Sequence, residues 1–173
     1  MKQFPSRRLM IVALALAMTY FLSAQKKYSK SFIKKQKEAA AKMVQQRHKM
    51  SQVMVDKVFS FAELGFHEVE SSRYLTSILE EAGFEVTRGV SGIPTAWVAR
   101  WSNGEGPVIA LGSDVDDIPK ASQYPGVAYH KPIIEGAPGH GEGHNSGIPL
   151  IITAALTVQE LMKENDLGGT LML

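Results

Sequence analysis

"PVIALGSDVDDIP", residues 107 to 119, is the stretch on which the fold turns. Its first half, Val108 to Leu111, is an unbroken apolar run of strand length, the pattern of a β-strand covered on both faces. Its second half turns polar at once and sets Asp114 and Asp116 two residues apart, immediately after the strand. In open α/β sheets ligands bind beyond the carboxyl ends of the strands, so two carboxylates there are candidate site residues. An Asp pair in that position is also a common turn or helix cap.

Toward the C-terminus, a loop of about thirty residues runs from Val115 to Asn145, and so long a loop inside a compact domain is usually functional. It ends in "PGHGEGHNSG", residues 138 to 147, where glycines surround two histidines and a glutamate. Alternating glycines make a helix improbable there, and an extended segment aims residues two apart to one side. Glu142 and His144 then point the same way, and carboxylate with imidazole is a common partial ligand set for zinc or manganese. His140 and His144 stand four apart and would converge only on a helix, so His140 reads as a supporting or structural group. The residues alone leave two readings open, a metal-binding loop and a polar structural turn.

After the loop, "SGIPLIITAALTVQELMKEN" predicts a helix from about Ser146 to Asn165, nearly all apolar in its first half and so deeply buried. The closing "TLML" reads as the start of a buried strand, which makes this sequence an N-terminal portion of a longer protein. Toward the N-terminus, "FEVTRGV" and "TAWVARW" are strand-like and are punctuated by Gly92-Ile93-Pro94 and Asn103-Gly104. Before them "HEVESSRYLTSILEEAGFEV" predicts a helix stopping at Gly83. Residues 26 to 62 contain no Gly or Pro and predict one helix, lysine-rich in its first half. Met43, Met50, Met54, Val58 and Phe61 form its apolar stripe, best explained by packing on a domain. His67 and His130 read as surface or core histidines, and Trp97 and Trp101 as packing residues.

The first 25 residues carry Lys2, Arg7 and Arg8, an apolar run from Leu9 to Leu22, and then small residues Ser23 and Ala24. That order reads as a cleaved secretory signal, with a non-cleaved anchor as the alternative; the run is short for a membrane span, which needs about 20 residues. Residues 1–24 are therefore expected to be a signal peptide, 25–52 a basic helical arm, and 53–173 part of an α/β domain. The expected location is periplasmic or extracellular, with no stable membrane span after processing. The chain lacks cysteine, which excludes disulfides and cysteine-ligated zinc. At 45% hydrophobic residues it can build a core. The net charge of +2 comes from lysines and arginines crowded into residues 26 to 49, so nucleic acid is not an expected partner.

From about Val53 onward the chain resembles the metal-dependent amidohydrolase and peptidase family that includes aminoacylase, indole-acetyl-amino-acid hydrolases and carboxypeptidase G. The p-aminobenzoyl-glutamate hydrolase B-subunit branch is the one it most resembles. Four blocks in sequence carry the resemblance: "AELGFHEVE", the Gly-Ile-Pro stretch, "VIALGSDVDDIP", and "GHGEGHNSG", which matches the family's Gly-His-x-Cys-Gly-His loop.

The resemblance implies an α/β fold, an incomplete two-metal aminopeptidase-like (phosphorylase/hydrolase-like) catalytic domain preceded by a helical arm. It implies Glu142, His144 and, ranked lower, Asp114 as metal residues, with Asp116 as the catalytic-site aspartate that orients a ligand. Glu142 stands where the family has cysteine, and a harder oxygen donor favours zinc or manganese. "FSFAELGF" lacks the family's His-Pro before Glu-Leu. Two ions, hydrolysis of an acyl-amino-acid or peptide amide by metal-activated water, and a homodimer formed through an insert domain are further implications. The family's catalytic Glu-Glu pair would lie beyond Leu173, so this chain by itself is expected to be inactive. The opposing expectation is a non-catalytic exported binding module, or a degenerate family member.

Overall fold

Alternation and helical periodicity place four α-helices and four strands along residues 28–173, the part of the chain that this computed structural model describes. The signal-peptide expectation for residues 1–24 lies outside the described residues. Two units divide the chain, residues 1–36 and Lys37–Leu173. The sheet, the core and the candidate site all belong to the second; among the described residues, the start of the first helix is the part that belongs to the first.

The single helix expected over residues 26 to 62 is two helices, α1 (Lys30–Gln46) and α2 (His48–Phe61), meeting at Arg47. Arg47 has φ −88° and ψ 0°, off the helical minimum. Its guanidinium pairs with the Glu160 carboxylate on a later helix, which gives the kink a tertiary anchor. α1 buries none of its residues, as its lysines require, whereas Met54 and Val58 of α2 are fully buried. The apolar stripe thus packs through its second half.

α3 (Val69–Glu81) starts under a carboxylate: Glu63 accepts hydrogen bonds from the backbone N–H groups of Glu70 and Ser71 at 2.8 and 2.9 Å. A negative side chain against the unpaired N–H groups and positive dipole end of a helix is stabilising. The helix ends at Ala82, and the left-handed Gly83 beyond it (φ 87°) is the stop read from the sequence.

Three strand-like runs become β1 (Glu85–Arg88), β2 (Trp97–Ser102) and β3 (Val108–Ala110), and "TLML" becomes β4 (Thr170–Met172). The sheet order is β1-β2-β4-β3. β1 and β4 each run antiparallel to β2, with Val86 opposite Ala99 and Trp101 opposite Leu171, while β3 runs parallel to β4. A parallel pair needs a crossover, which is supplied by the long loop and α4 (His144–Glu164).

One core joins Met54 and Val58 of α2, Leu75 and Leu79 of α3, Ile148 and Ile152 of α4, and Ala99 and Leu171 of the sheet. The strand at "TLML" is buried as the sequence indicated, but α4 buries more of its second half than of its apolar first half, where Leu150 is 68% exposed because one side of the helix faces outward.

The reading of β3 is also overturned. β3 is not covered on both faces: it lies at the sheet edge, paired only with β4 among the described strands, and Val108 and Ile109 are 54% and 48% exposed. A continuous apolar run states what a strand can bury; whether anything is packed on it is decided by its place in the sheet.

Candidate functional site

The chain leaves β3 at Ala110, runs through Asp114 and Asp116 beyond the strand's carboxyl end, and returns through the glycine loop to α4. Two isolated bridges pin this excursion. Asp117 pairs with Leu64 in a parallel sense, and Ile118 pairs with Gly139 in an antiparallel sense. The second bridge lays the aspartate segment beside the histidine segment, with Ile118 and Gly139 exchanging hydrogen bonds of 3.1 and 3.2 Å.

His144 is the centre of the cluster. Its Nδ1 lies 3.0 Å from Asp116 Oδ1 and 3.1 Å from the Asp116 carbonyl oxygen. Both partners only accept, so Nδ1 carries the proton and donates. Nε2 faces Glu142 Oε2 at 3.3 Å and Asp114 Oδ2 at 4.0 Å. All four sequence-predicted residues are thus brought together around one imidazole.

Glu142 and His144 converge by a route other than the extended segment inferred from the glycines. Gly143 is left-handed (φ 93°) and caps α4, whose first residue is His144. A side chain on residue 143 would make that conformation costly, which is a local reason for glycine.

Charge shapes the ring. Burial opposes protonation of His144, but the Asp116 carbonyl and carboxylate, and then the negative charges of Asp116 and Asp114, outweigh it and raise the pKa above the usual histidine value. With Nδ1–H committed to Asp116, Nε2 would otherwise present a lone pair to two carboxylates. A proton on Nε2 satisfies that arrangement, and so does a cation. The donor chemistry of His144, Glu142 and Asp114 therefore fits a divalent ion in kind. As they stand, no three His, Asp or Glu side chains among the described residues are grouped as a ligand set.

Beside this cluster lies a buried pair of which sequence reading singled out only His140. Asp117 and His140 are almost completely enclosed, with Nδ1 of His140 2.5 Å from Asp117 Oδ1, although the two are not aligned as a hydrogen bond. His140 Nε2 sits 3.1 Å from the Val58 carbonyl at the end of α2, and the Asp117 N–H donates to the Glu63 carbonyl at 2.7 Å. Desolvation, followed by the charges of Asp116 and Glu63, pushes the Asp117 carboxyl up to about 7. Burial lowers the His140 pKa. His140, expected as a supporting or structural group, is placed in this buried pair and not at the exposed cluster. The only signal for Asp117 was its adjacency to Asp116, and adjacency does not reveal that the neighbouring side chain turns inward.

A cleft of about 530 Å³ opens beside the cluster. Asp114, Asp116 and His144 form its polar end, Ile93, Trp97 and Ile148 belong to its apolar wall, and Phe66 stands at its rim. Volumes of this order suit a small organic molecule. Trp97 and Trp101 pack against the core as read from the sequence, and His67 and His130 are exposed.

No family model matches the chain. Over 117 residues it is 38% identical to the B-subunit of p-aminobenzoyl-glutamate hydrolase from Escherichia coli (strain K12), an alignment spanning 68% of this chain and 24% of that protein. The chain thus spans about a quarter of the length of that relative. Two solved structures share the fold. One, described as an aminohydrolase from methicillin-resistant Staphylococcus aureus, has a TM-score of 0.65 at 18% identity, covering 78% of this chain and 33% of its own. The other is the Bacillus subtilis YXEP protein, described as a dinuclear metal-binding peptidase of the M20 family. Its TM-score is 0.55 at 24% identity, covering 70% of this chain and 33% of its own. Over part of its length the chain is thus similar in sequence to part of a hydrolase subunit, and it shares its fold with part of each of the two solved structures.

Proposed function

We propose that the protein to which this sequence belongs is an exported amidohydrolase that cleaves the amide bond of an N-acyl or aminobenzoyl amino acid. The observation that carries the proposal is the His144 cluster: an imidazole locked through Nδ1 by Asp116, its Nε2 turned toward two carboxylates at the mouth of a cleft. The 38% identity to one subunit of a hydrolase supports it, as does the description of the YXEP protein as dinuclear and metal-binding.

In this reading His144, Glu142 and Asp114 hold a divalent cation, zinc or manganese, with a second ion nearby. A bound cation would supply Lewis acidity, polarising the scissile carbonyl and lowering the pKa of water. The chain's own residues orient and exclude. Asp116 fixes the His144 tautomer and ring plane, the usual task of a carboxylate behind a metal-binding histidine. Asp117 and His140 tie the ligand-bearing segments to α2, and the apolar wall around Trp97 strips water from the substrate. The chain spans about a quarter of the length of that relative, and residues 1–173 by themselves are proposed to be inactive. Export rests on the order of charge, apolar run and small residues in 1–24; intact-mass measurement of the secreted protein tests it by the loss of about 24 residues.

The test uses the full-length protein. Wild type should retain zinc or manganese after dialysis and hydrolyse benzoyl-glycine or aminobenzoyl-glutamate. Glu142→Ala should lose most bound metal and at least about 100-fold in kcat/KM, the scale on which removal of an essential charged site residue is felt. Unchanged turnover in that variant would refute the ligand assignment. Retained metal without hydrolysis of any acyl-amino acid would instead favour a binding module, the reading to which the Glu-for-Cys departure at residue 142 gives some support.

A further inference from the structure

Phe66 combines three features that local structure does not account for. Its backbone is left-handed (φ 66°), its residue is 70% exposed, and it lines the same cleft as Asp114, Asp116 and His144. The turn that holds it closes through the His67 N–H donating to the Leu64 carbonyl at 2.9 Å. Gly65, which would take a left-handed conformation freely, sits one position too early, so the strained place in the turn goes to a bulky aromatic residue. Such residues are uncommon at positive φ and gather at sites where a side chain must be aimed. Burial does not compensate the strain, because the ring is in solvent. Its remaining neighbour is the cleft.

We infer that Phe66 is a specificity-determining residue whose ring stacks on an aromatic acyl group of the substrate. The inference rests on the amide-hydrolase reading above. Position supports the short reach this needs: a Cβ on Gly65 would lie 3.4 Å from Asp116 Oδ2, so residue 66 comes directly after a residue touching the polar cluster. A group stacked there joins the scissile carbonyl directly, with no long linker between. An aryl ring conjugated to the amide carbonyl is flat, lies in continuity with the reacting bond, and matches the apolar wall of Ile93 and Trp97 behind it.

The experiment compares Phe66→Leu, which keeps apolar bulk, and Phe66→Tyr, which keeps the ring, with wild type in the full-length protein. The probes are benzoyl-glycine and cyclohexanecarbonyl-glycine, of similar size and differing in planarity. Phe66→Leu should raise KM for benzoyl-glycine by roughly 3- to 10-fold, the range of one aromatic pair contact, with kcat within about twofold. It should leave KM for the cyclohexyl probe unchanged, and Phe66→Tyr should behave as wild type on both. Equal effects of Phe66→Leu on the two probes, or none on either, overturn the inference. Calorimetric binding of benzoyl-glycine to metal-stripped protein separates it from the hydrolase reading. If wild type cuts neither probe yet binds the benzoyl one more tightly than Phe66→Leu does, the hydrolase reading fails and the Phe66 contact stands. If wild type does not bind benzoyl-glycine at all, the contact falls.

Discussion

His144 has opposite demands on its two ring nitrogens, and that sets a measurable expectation. Nδ1 donates to Asp116 while Nε2 faces Glu142 and Asp114, so the metal-stripped protein holds the second proton more tightly than a free histidine does. Its imidazole should titrate above 6.5 by NMR, and Asp116→Asn should bring the midpoint down. The stability consequence has one sign. A base whose folded pKa is raised contributes stability that is fully present below pH 6.5 and is lost as pH rises through the folded value. The stability difference between wild type and Asp116→Asn, read from denaturant midpoints in chelator, should shrink over that window; a constant difference would show that the pair carries no proton linkage. At this scale the sequence was informative about residue type and weak about direction. Asp114, Asp116, Glu142 and His144 could be named, because each lies next to a strand end or in a glycine loop. Asp117 could not be told from Asp116, since inward and outward neighbours in a turn share the same local pattern.

Elements differ in how far their ends are written locally. α3 stops where Gly83 can turn left-handed, and α4 and the four strands stand close to their expected places. Arg47 is the exception, where a continuous helical pattern is divided at a residue whose side chain pairs with Glu160, 113 positions away. The glycines of the site loop are also unequal in a way spacing does not reveal. A Cβ on Gly139 would sit 2.2 Å from the Ala121 carbonyl oxygen, a backbone atom with no freedom to withdraw. On Gly141 it would meet the tip of the Ile118 side chain at 2.6 Å, which can rotate away. Gly139→Ala should therefore cost about 2–4 kcal/mol in urea unfolding, and Gly141→Ala less than about 1.5 kcal/mol. Equal losses would mean that the Ile118–Gly139 bridge is not held as described.

For the unit Lys37–Leu173 as a whole, the conspicuous feature is the outer edge of the sheet. Val108 and Ile109 on β3, and Leu111 just after it, are exposed apolar residues on a strand with one described neighbour. Unprotected apolar edges recruit other edges. The 173-residue chain should self-associate at micromolar concentration, and Ile109→Lys should shift light scattering toward monomer with little change in thermal stability. Scattering unaffected by the charge would exclude the edge as the contact.

Periodicity, glycine placement and one apolar run were enough to read, from sequence alone, an α/β chain, most of its helices and strands in order, and a candidate site at the end of β3. These are local properties: a 3.6-residue or two-residue repeat and the conformational freedom of glycine act over a few residues. Tertiary structure decided which strand is at the edge, where the long helix bends, which of two adjacent aspartates is buried, and how a left-handed Gly143 turns Glu142 toward His144. Each of those depends on what a distant segment packs against, and burial, desolvation and strand neighbours are set by the folded chain as a whole.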